Sequence, residues 1–376
     1  MGKEIMYKPV ILNEGDFSEN DLENLRQTRD VFKVVDIYEY QLRELFKILH
    51  PSSALDDTKL NSFIKEHSLA KTAGAWIYYP WSGILMHVLG KENLFKLKTN
   101  RNQLLITNQE QQKLKDTVVG VAGMSVGAGM AISLAYSGAS ETIKIADFDE
   151  LDTSNLNRLR EPMSSVGMKK VELATQHIYE INPFADVHAF ENGIDKNNIQ
   201  QFFSNPEVNI IIDEIDDFKM KVELRIQAKK LGVPVLMFSS LGDNILVDIE
   251  RFDIDPELQI FHGLFGELTN EIINNSNITK EDENRYAVLL VGKDYVPTRA
   301  LATLLQIGNK LVGRPQLYST ISVDSGLAAY LVRRITLGEK LKSGRFFIKF
   351  AELFDQESSD LSSNDERDEI INELLG

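Results

Sequence analysis

The 376 residues contain no cysteine. That absence excludes a disulfide, an enzyme-bound thioester, a persulfide and any cysteine-held zinc. No apolar run approaches the roughly 20 residues that a membrane-spanning helix needs, and the opening MGKEIMYKPV lacks the apolar stretch of a secretory signal. It also has no Ser or Thr at its sixth position, which argues against N-myristoylation. The six histidines are scattered and never pair at i, i+4, so a helix-borne zinc motif is missing. Positive charge is in deficit: 41 Lys and Arg against 56 Asp and Glu leave a net charge of -15, a balance unsuited to a nucleic-acid surface. Internal repeats and low-complexity tracts are absent. Together these absences predict a cytoplasmic protein that binds neither membrane nor nucleic acid. What is present, 43% apolar residues, suffices for the core of one large or two modest domains.

Between Val118 and Phe238, apolar runs alternate with helical stretches: TVVGVA, TIKIAD, DVHAF, NIIIDE and VPVLMF. Such alternation predicts an α/β fold, a Rossmann-like, largely parallel sheet with helices on both faces and ligands at the carboxyl ends of its strands. The first run passes into Gly123, Ser125, Gly127 and Gly129, then into a helical pattern through Ile132, Leu134 and Ala135. A strand, a glycine turn and a helix N-terminus make a phosphate site, because free backbone N–H groups and the helix dipole both face an anion. The glycines depart from G-x-G-x-x-G: a motif ending at Gly127 puts Ala122 and Met124 where the first two belong.

Asp147 closes the next strand, twenty residues after Gly127, the distance at which an acidic residue meets ribose hydroxyls. Asp147 and Asp149 also read as ordinary strand-end carboxylates. Asn155, Arg158 and Lys170 follow, and then Asp216 at the end of NIIIDEID. A dinucleotide dehydrogenase has no use for Arg and Lys just past its ribose carboxylate. A triphosphate does, since it needs cations on its β and γ groups and a carboxylate for Mg²⁺. The pattern therefore points to ATP with Mg²⁺.

These stretches, DFDELDTSNLNR, VGMKK and DEIDD, stand in the order and nearly at the spacing of a family signature: a strand ending D-x-D, then S-N-L-x-R, a V-G-x-x-K, and a strand ending near T-D-N. From about Asn100 to about Leu337 the chain resembles the ubiquitin-activating-enzyme-like adenylyltransferases, the ThiF and MoeB superfamily. The resemblance implies Asp147 on the ribose with Asp149 beside it, Asn155 and Arg158 near the triphosphate, Lys170 on the phosphates and Asp216 as the magnesium carboxylate. It further implies that Arg101, in TNRNQ, reaches into a partner subunit's site, so that the active form is a homodimer with Arg158, Lys170 and Arg101 as its catalytic residues.

Departures from the family pattern narrow the reading. Asp217 stands where the family has Asn, and Lys221 where it often has Arg, a change that keeps the charge but forfeits bidentate geometry. Without cysteine, members that pass an acyl group to a thiol or hold a cysteine-bound zinc are not the model. The phrases NRN, GMSVG, ADFDELDTSNLNR, and VDIERFD followed by FHGLFG resemble a cysteine-free bacterial branch often fused to a nitroreductase-like flavin domain. No such domain, and hence no flavin, is expected in these 376 residues.

The chain divides in this reading into an N-terminal α+β accessory region (1–98), the ThiF-like domain (99–350) and an acidic tail (351–376). Helical periodicity runs through residues 34–50, with Val35, Ile37, Leu42, Leu45, Phe46 and Ile48 on one face, and a strand-like WIYYPWSGILMHVL follows. Trp76, Tyr78, Tyr79 and Trp81 read as core or a domain interface. From Asn244, ILVDIERFDI suits added antiparallel strands, 263–299 reads as an irregular polar crossover, helices follow from about Thr298 and from Ser325 to Leu337, and FFIKF suggests a last strand. The tail carries nine acidic residues against one basic and reads as solvated or disordered.

His262 reads more readily as a hydrogen-bonded histidine than as a catalytic one. Glu214 and Asp216, two apart on the expected strand, would share a face, which offers Glu214 a part in holding the metal; Asp213 and Glu214 read equally as residues that only end the strand. The expected function is ATP-dependent adenylation of a carboxylate, either a peptide or small-carrier C-terminus or a small acid, with the adenylate passed to an external nucleophile. The rivals are an NAD(P)- or FAD-binding oxidoreductase-associated protein and a non-catalytic nucleotide-binding scaffold.

Overall fold

The computed structural model describes residues 7–68, 72–275, 278–292, 295–354 and 364–375. They form two compact units: the first takes the chain to Lys113 together with Ala135–Gly138 and Thr175–Ala185, and the second takes the rest.

In the first unit the order is β1 (Val10–Leu12), α1 (Glu19–Thr28), β2 (Lys33–Asp36), α2 (Tyr38–Leu49), α3 (Asp57–His67), β3 (Ala75–Tyr79), β4 (Ile84–Val88) and α4 (Lys91–Thr99), followed by most of α5 (Asn108–Asp116). The sheet runs β1-β3-β4-β2, with β2 parallel to β4 and the other pairs antiparallel. WIYYPWSGILMHVL is thus a hairpin rather than one strand, turned at Gly83, whose φ is +62°. Trp76, Tyr78 and Tyr79 are buried, the first two in a core with Phe17, Leu25 and Leu85. The helix predicted from residue 34 begins only at Tyr38, because Val34 and Val35 pair with β4 and the Asp36 carboxylate accepts the Tyr38 N–H at 3.1 Å. Leu42, Leu45 and Phe46 are buried as expected, whereas Val35 and Ile37 lie outside the helix.

The second unit holds β5 (Val118–Ala122), the start of α6 (Gly127–Ser137), β6 (Thr142–Ala146), the start of α7 (Lys170–Ile181), β7 (Asp186–Phe190), α8 (Ile199–Phe203), β8 (Ile210–Asp213), α9 (Phe218–Leu231), β9 (Val235–Leu241) and β10 (Asn244–Glu250). After these come α10 (Leu268–Asn274), α11 (Lys280–Val291), α12 (Thr298–Leu304), α13 (Tyr318–Thr336), β11 (Gly344–Lys349), α14 (Phe350–Phe354) and α15 (Asn364–Leu375). Its seven-stranded sheet runs β11-β10-β9-β8-β5-β6-β7. The five strands from β9 to β7 are parallel, and β10 and β11 add on antiparallel. The expected Rossmann-like architecture is present, and its chain reversal falls at β5, whose neighbours are β6 on one side and β8 on the other. Ligands bind in the crevice beyond the carboxyl ends of strands at such a point. Strands buried on both faces require near-continuous apolar runs, and Val119, Val121, Ile143, Ile145 and Ile210 to Ile212 are all at most 1% exposed.

Three expectations fail in this unit. Residues 263–299 are not irregular: they contain α10 and α11, the latter opened by Thr279, whose hydroxyl accepts the Asp282 N–H while the Asp282 carboxylate accepts the Thr279 N–H. Helix α13 begins at Tyr318, seven residues before the predicted start. In the acidic tail, residues 355–363 lie outside the described residues, but 364–375 are helical and bury Ile371 and Leu374 with Val288, Val296 and Leu301. Those two residues, three apart, share a face of α15, while Asp368, Glu369 and Glu373 stay exposed. Among the described residues no helix is long and apolar enough to cross a membrane.

Candidate functional site

At the reversal point the β5 strand must turn sharply into α6. Gly123 makes the turn with φ at +92°, and a Cβ there would lie 2.3 Å from the Glu214 carbonyl oxygen. Only glycine fits a backbone so placed. The Gly123 N–H donates to the Ala146 carbonyl at 2.8 Å, which ties the turn to β6. Ala122 and Met124, at the positions of absent glycines, are fully buried. Gly127 starts α6, so Ser125 stands just ahead of a helix N-terminus whose dipole favours an anion.

Asp147 follows β6 and is buried. Its carboxylate accepts the Met124 N–H at 2.5 Å and the Asp149 N–H at 2.7 Å. Burial raises this carboxyl above its ordinary value, opposed by the two backbone hydrogen bonds and by the charge of Lys170. Asp149 is half-exposed and pairs at 2.7 Å with the Lys170 ammonium, which is itself buried at the first residue of α7.

Asn155 is buried, and its side-chain oxygen accepts the Asp152 N–H at 3.1 Å, so it stabilises the short helical turn Thr153–Asn157 that delivers Arg158. Arg158 donates to Asn157 Oδ1 at 3.0 Å and to Ser125 Oγ at 3.3 Å, while its Nε is buried without a partner. Burial lowers the guanidinium pKa, opposed by the charge of Asp216. Asp216 is exposed, in the segment between β8 and α9.

Gly123, Ser125, Gly127, Asp147, Asp149, Lys170, Asn155, Arg158 and Asp216 thus all lie in the second unit, at or just beyond the carboxyl ends of its strands. Arg101 lies in the first, exposed on the short turn Asn100–Asn102. Strand β8 ends at Asp213, so the expected alternation through Glu214 and Asp216 does not apply. Glu214 instead folds back, and its carboxylate accepts the Phe238 N–H at 3.0 Å. Desolvation raises the Glu214 carboxyl well above the usual carboxylate range, opposed by the charge of Lys221. Among the described residues no group of three or more His, Asp or Glu could hold a metal by themselves. Mg²⁺ on a nucleotide asks less: one or two carboxylates complete a shell made of phosphate oxygens and water. An exposed Asp216 near Arg158 fits that donor set.

The family departures turn out to be structural. Asp217 caps α9 by accepting the Met220 N–H at 2.8 Å, a task Asn and Asp perform equally well. Lys221 donates to the fully buried Asp213 at 3.1 Å, and Arg225 bridges Asp213 and Glu250 at 2.5 Å each. His262 Nε2–H donates to the Asp248 carboxylate at 2.8 Å. Burial alone would lower its imidazole, but the Asp248 hydrogen bond and the charges of Asp248 and Glu250 raise it on balance.

One wall of the site was not foreseen. A cleft beside the glycine turn is lined by Ser125, Gly129, Arg158, Arg160, Ser322 and Ser325. Arg160 donates to Ser322 Oγ at 3.3 Å, and its guanidinium lies over the Tyr318 ring at 5.4 Å. Helix α13 comes so close that a Cβ on Gly129 would stand 2.5 Å from Ser325 Oγ. Nearby on α13, Asp324 accepts from Ser240 Oγ at 2.7 Å, leaves its second oxygen unpartnered, and is pushed up to about 7 by burial.

Residues 99–252 match the ThiF family model. The uncharacterized protein MT1398 of Mycobacterium tuberculosis (strain CDC 1551 / Oshkosh) is 35% identical over 288 residues, 77% of this chain and 39% of that protein. A tRNA threonylcarbamoyladenosine dehydratase of Bacillus subtilis (strain 168) is 34% identical over 157 residues, 41% of this chain and 60% of that protein. Among solved structures, E. coli MccB with MccA-N7isoASN aligns at 17% identity and a TM-score of 0.48, covering 82% of this chain and 84% of that one. The chain spans less than two thirds of the length of either curated relative.

Proposed function

From a chain that carries a ThiF-family domain of the ThiF/MoeB type, the superfamily of adenylyltransferase-like enzymes, we propose ATP-dependent adenylation of a carboxylate with release of pyrophosphate. We assign the adenylation domain to residues 99–350, with 1–98 as an accessory region and 351–376 as an acidic tail. The observation that carries the reading is the grouping, in one compact unit, of a helix N-terminus behind Gly123, a ribose-position acid in Asp147, cations in Lys170 and Arg158, and an exposed carboxylate in Asp216.

In this mechanism an oxygen of the substrate carboxylate attacks the α-phosphorus. The bond from that phosphorus to the bridging oxygen breaks, and the electron pair leaves with pyrophosphate. The carboxylate is already ionised near neutral pH, so no general base is needed. The residues position and neutralise. Asp147 holds the ribose, the α6 N-terminus and Ser125 face the phosphates, and Lys170 and Arg158 offset the charge that builds on the leaving group. Mg²⁺ held by Asp216 supplies further charge neutralisation when bound. Arg101 of a partner subunit adds a cation in a homodimer. With no cysteine in the sequence, the acyl-adenylate passes to an external amine, thiol cofactor or partner's sulfur. The substrate is a peptide or small-carrier C-terminus, or a small acid.

Calorimetry with Mg²⁺–ATP, set against NADH and NADPH, tests the reading. Selective ATP binding that Lys170→Ala loses is the expected result; preference for NADH, or no ATP binding, sinks it. For turnover, Asp216→Ala should abolish ATP–pyrophosphate exchange, and full exchange in that variant removes Asp216 from the metal.

A further inference from the structure

Ser240 and Asp324 form a hydrogen-bonded pair that the adenylation step does not use. Ser240 lies near the carboxyl end of β9 and is partly exposed, and its hydroxyl donates to Asp324 Oδ2 at 2.7 Å. Asp324, on α13, is fully buried, and its Oδ1 has no partner. A hydroxyl on a carboxylate serves in many proteins only to pin a helix to a strand. Three observations go beyond that role. A pin gains nothing from a second oxygen buried without a hydrogen bond, an arrangement that is costly. Burial also pushes the Asp324 carboxyl up to about 7, which suits a proton acceptor working near neutral pH. The third observation is place. Phe238, two residues before Ser240, donates its N–H to Glu214, which follows β8, and a Cβ on Gly127 would lie 3.6 Å from Glu214 Cγ. Ser325, next to Asp324, stands so close that a Cβ on Gly129 would lie 2.5 Å from its Oγ. The pair therefore borders the first turn of α6 on the β8–β9 side, across β5 from the β6 side where Asp147 stands.

Building on the adenylation reading, we infer that Ser240 takes the acyl group from the adenylate as an oxyester, with Asp324 as its general base. A ribose at Asp147 leaves the β8–β9 side of the turn for the acyl group. There the Ser240 oxygen attacks the acyl carbon while its proton passes to Asp324 Oδ2. The bond from that carbon to the phosphate oxygen breaks, and AMP leaves with the electron pair. An external amine or thiol then displaces Ser240 from the ester, Asp324 returns the proton to the serine oxygen, and the nucleophile's own proton goes to solvent. In a chain without cysteine, a hydroxyl beside a buried carboxylate supplies a covalent way-station between the adenylate and its final acceptor.

The test treats the full chain with synthetic acetyl-AMP radiolabelled in its acetyl group, follows AMP release, and locates the label by peptide mass spectrometry. Wild type should release AMP in a burst and carry a hydroxylamine-sensitive ester on Ser240. Ser240→Ala should gain no ester, and Asp324→Asn should gain it about 100-fold more slowly or worse. Ser239→Ala, altered on the opposite face of the strand, should be labelled like wild type. The position of the label in wild type decides the matter whether or not a variant folds. A wild type that binds AMP by calorimetry yet gains no ester, or gains it on another residue, overturns the acyl-serine while leaving the adenylation site intact. A wild type that binds neither ATP nor AMP refutes the site reading, and the acyl-serine with it.

Discussion

The Asp147 carboxylate accepts a hydrogen bond from the Met124 backbone N–H at 2.5 Å, so the acid that follows β6 holds the glycine turn in place. Asp147→Ala should therefore lower stability as well as nucleotide affinity. Leaving the buried Met124 N–H unpaired costs about 1–3 kcal/mol. Urea unfolding measures this; an unchanged midpoint would show that the turn does not depend on Asp147.

Gly123→Ala carries two penalties, a left-handed φ of +92° and a Cβ 2.3 Å from the Glu214 carbonyl oxygen. Gly167, with φ at +89° and nothing within 4 Å of its would-be Cβ, separates them. The strain that both variants share is about 1–3 kcal/mol. Gly123→Ala should be the more destabilised of the two in thermal melts and should lose ATP binding, whereas Gly167→Ala should show the strain alone. Equal melting temperatures would contradict the close approach at Glu214.

Arg225 is fully buried between Asp213 and Glu250. Arg225→Met strands two carboxylates without their shared cation, and breaking a buried pair in this way costs about 3–5 kcal/mol. The exposed pair Arg43–Glu39, at 2.7 Å, is the contrast: Arg43→Ala should cost under about 1 kcal/mol. Denaturant titration of both variants checks the ranking, and similar losses would mean that the buried network is not holding α9 to the sheet.

Asp324 supplies a pH dependence of unusual sign. Its folded value is about 7, against an ordinary value of about 3.9 in the unfolded chain. Between these values the folded chain keeps a proton that the unfolded chain has released. Its contribution to stability therefore falls as pH rises from about 4 towards 7, and is level below and above that window. Asp324→Asn does not titrate. The urea midpoint should drop between about pH 5 and about pH 8 by more in wild type than in this variant, and parallel drops would assign the slope to another group.

The succession of strands along the chain and the run from Gly123 to Lys170 were legible because apolar periodicity and glycine placement are local signals. The roles proposed for Asn155 and Arg101 come from the family resemblance, because no periodicity reports them. What escaped depends on distant parts of the chain meeting. Ser322 and Ser325 are polar residues in a helix that their own neighbourhood hardly announces, and nothing near them in sequence links them to Ser125. Arg225, a charged residue on a mixed helix, carries no local sign of its burial, which comes from Asp213 and Glu250 enclosing it. Val34 and Val35 fit the helical pattern of their successors, and only pairing with β4 makes them a strand. In α15 a few apolar residues among acids suffice for a packed helix, since Ile370, Ile371 and Leu374 meet a cluster made elsewhere.

Lys170 already has a counterion in Asp149, 2.7 Å away. An incoming anion must therefore compete with a tethered carboxylate before it gains anything from the lysine. A single weak charge, such as a stray chloride or acetate, merely exchanges one partner for another. A polyanion that engages the α6 N-terminus and Arg158 at the same time has contacts to spare for that displacement. In the proposed site the pair would thus favour polyanions over single small ions, and it already compensates the charge of the buried lysine.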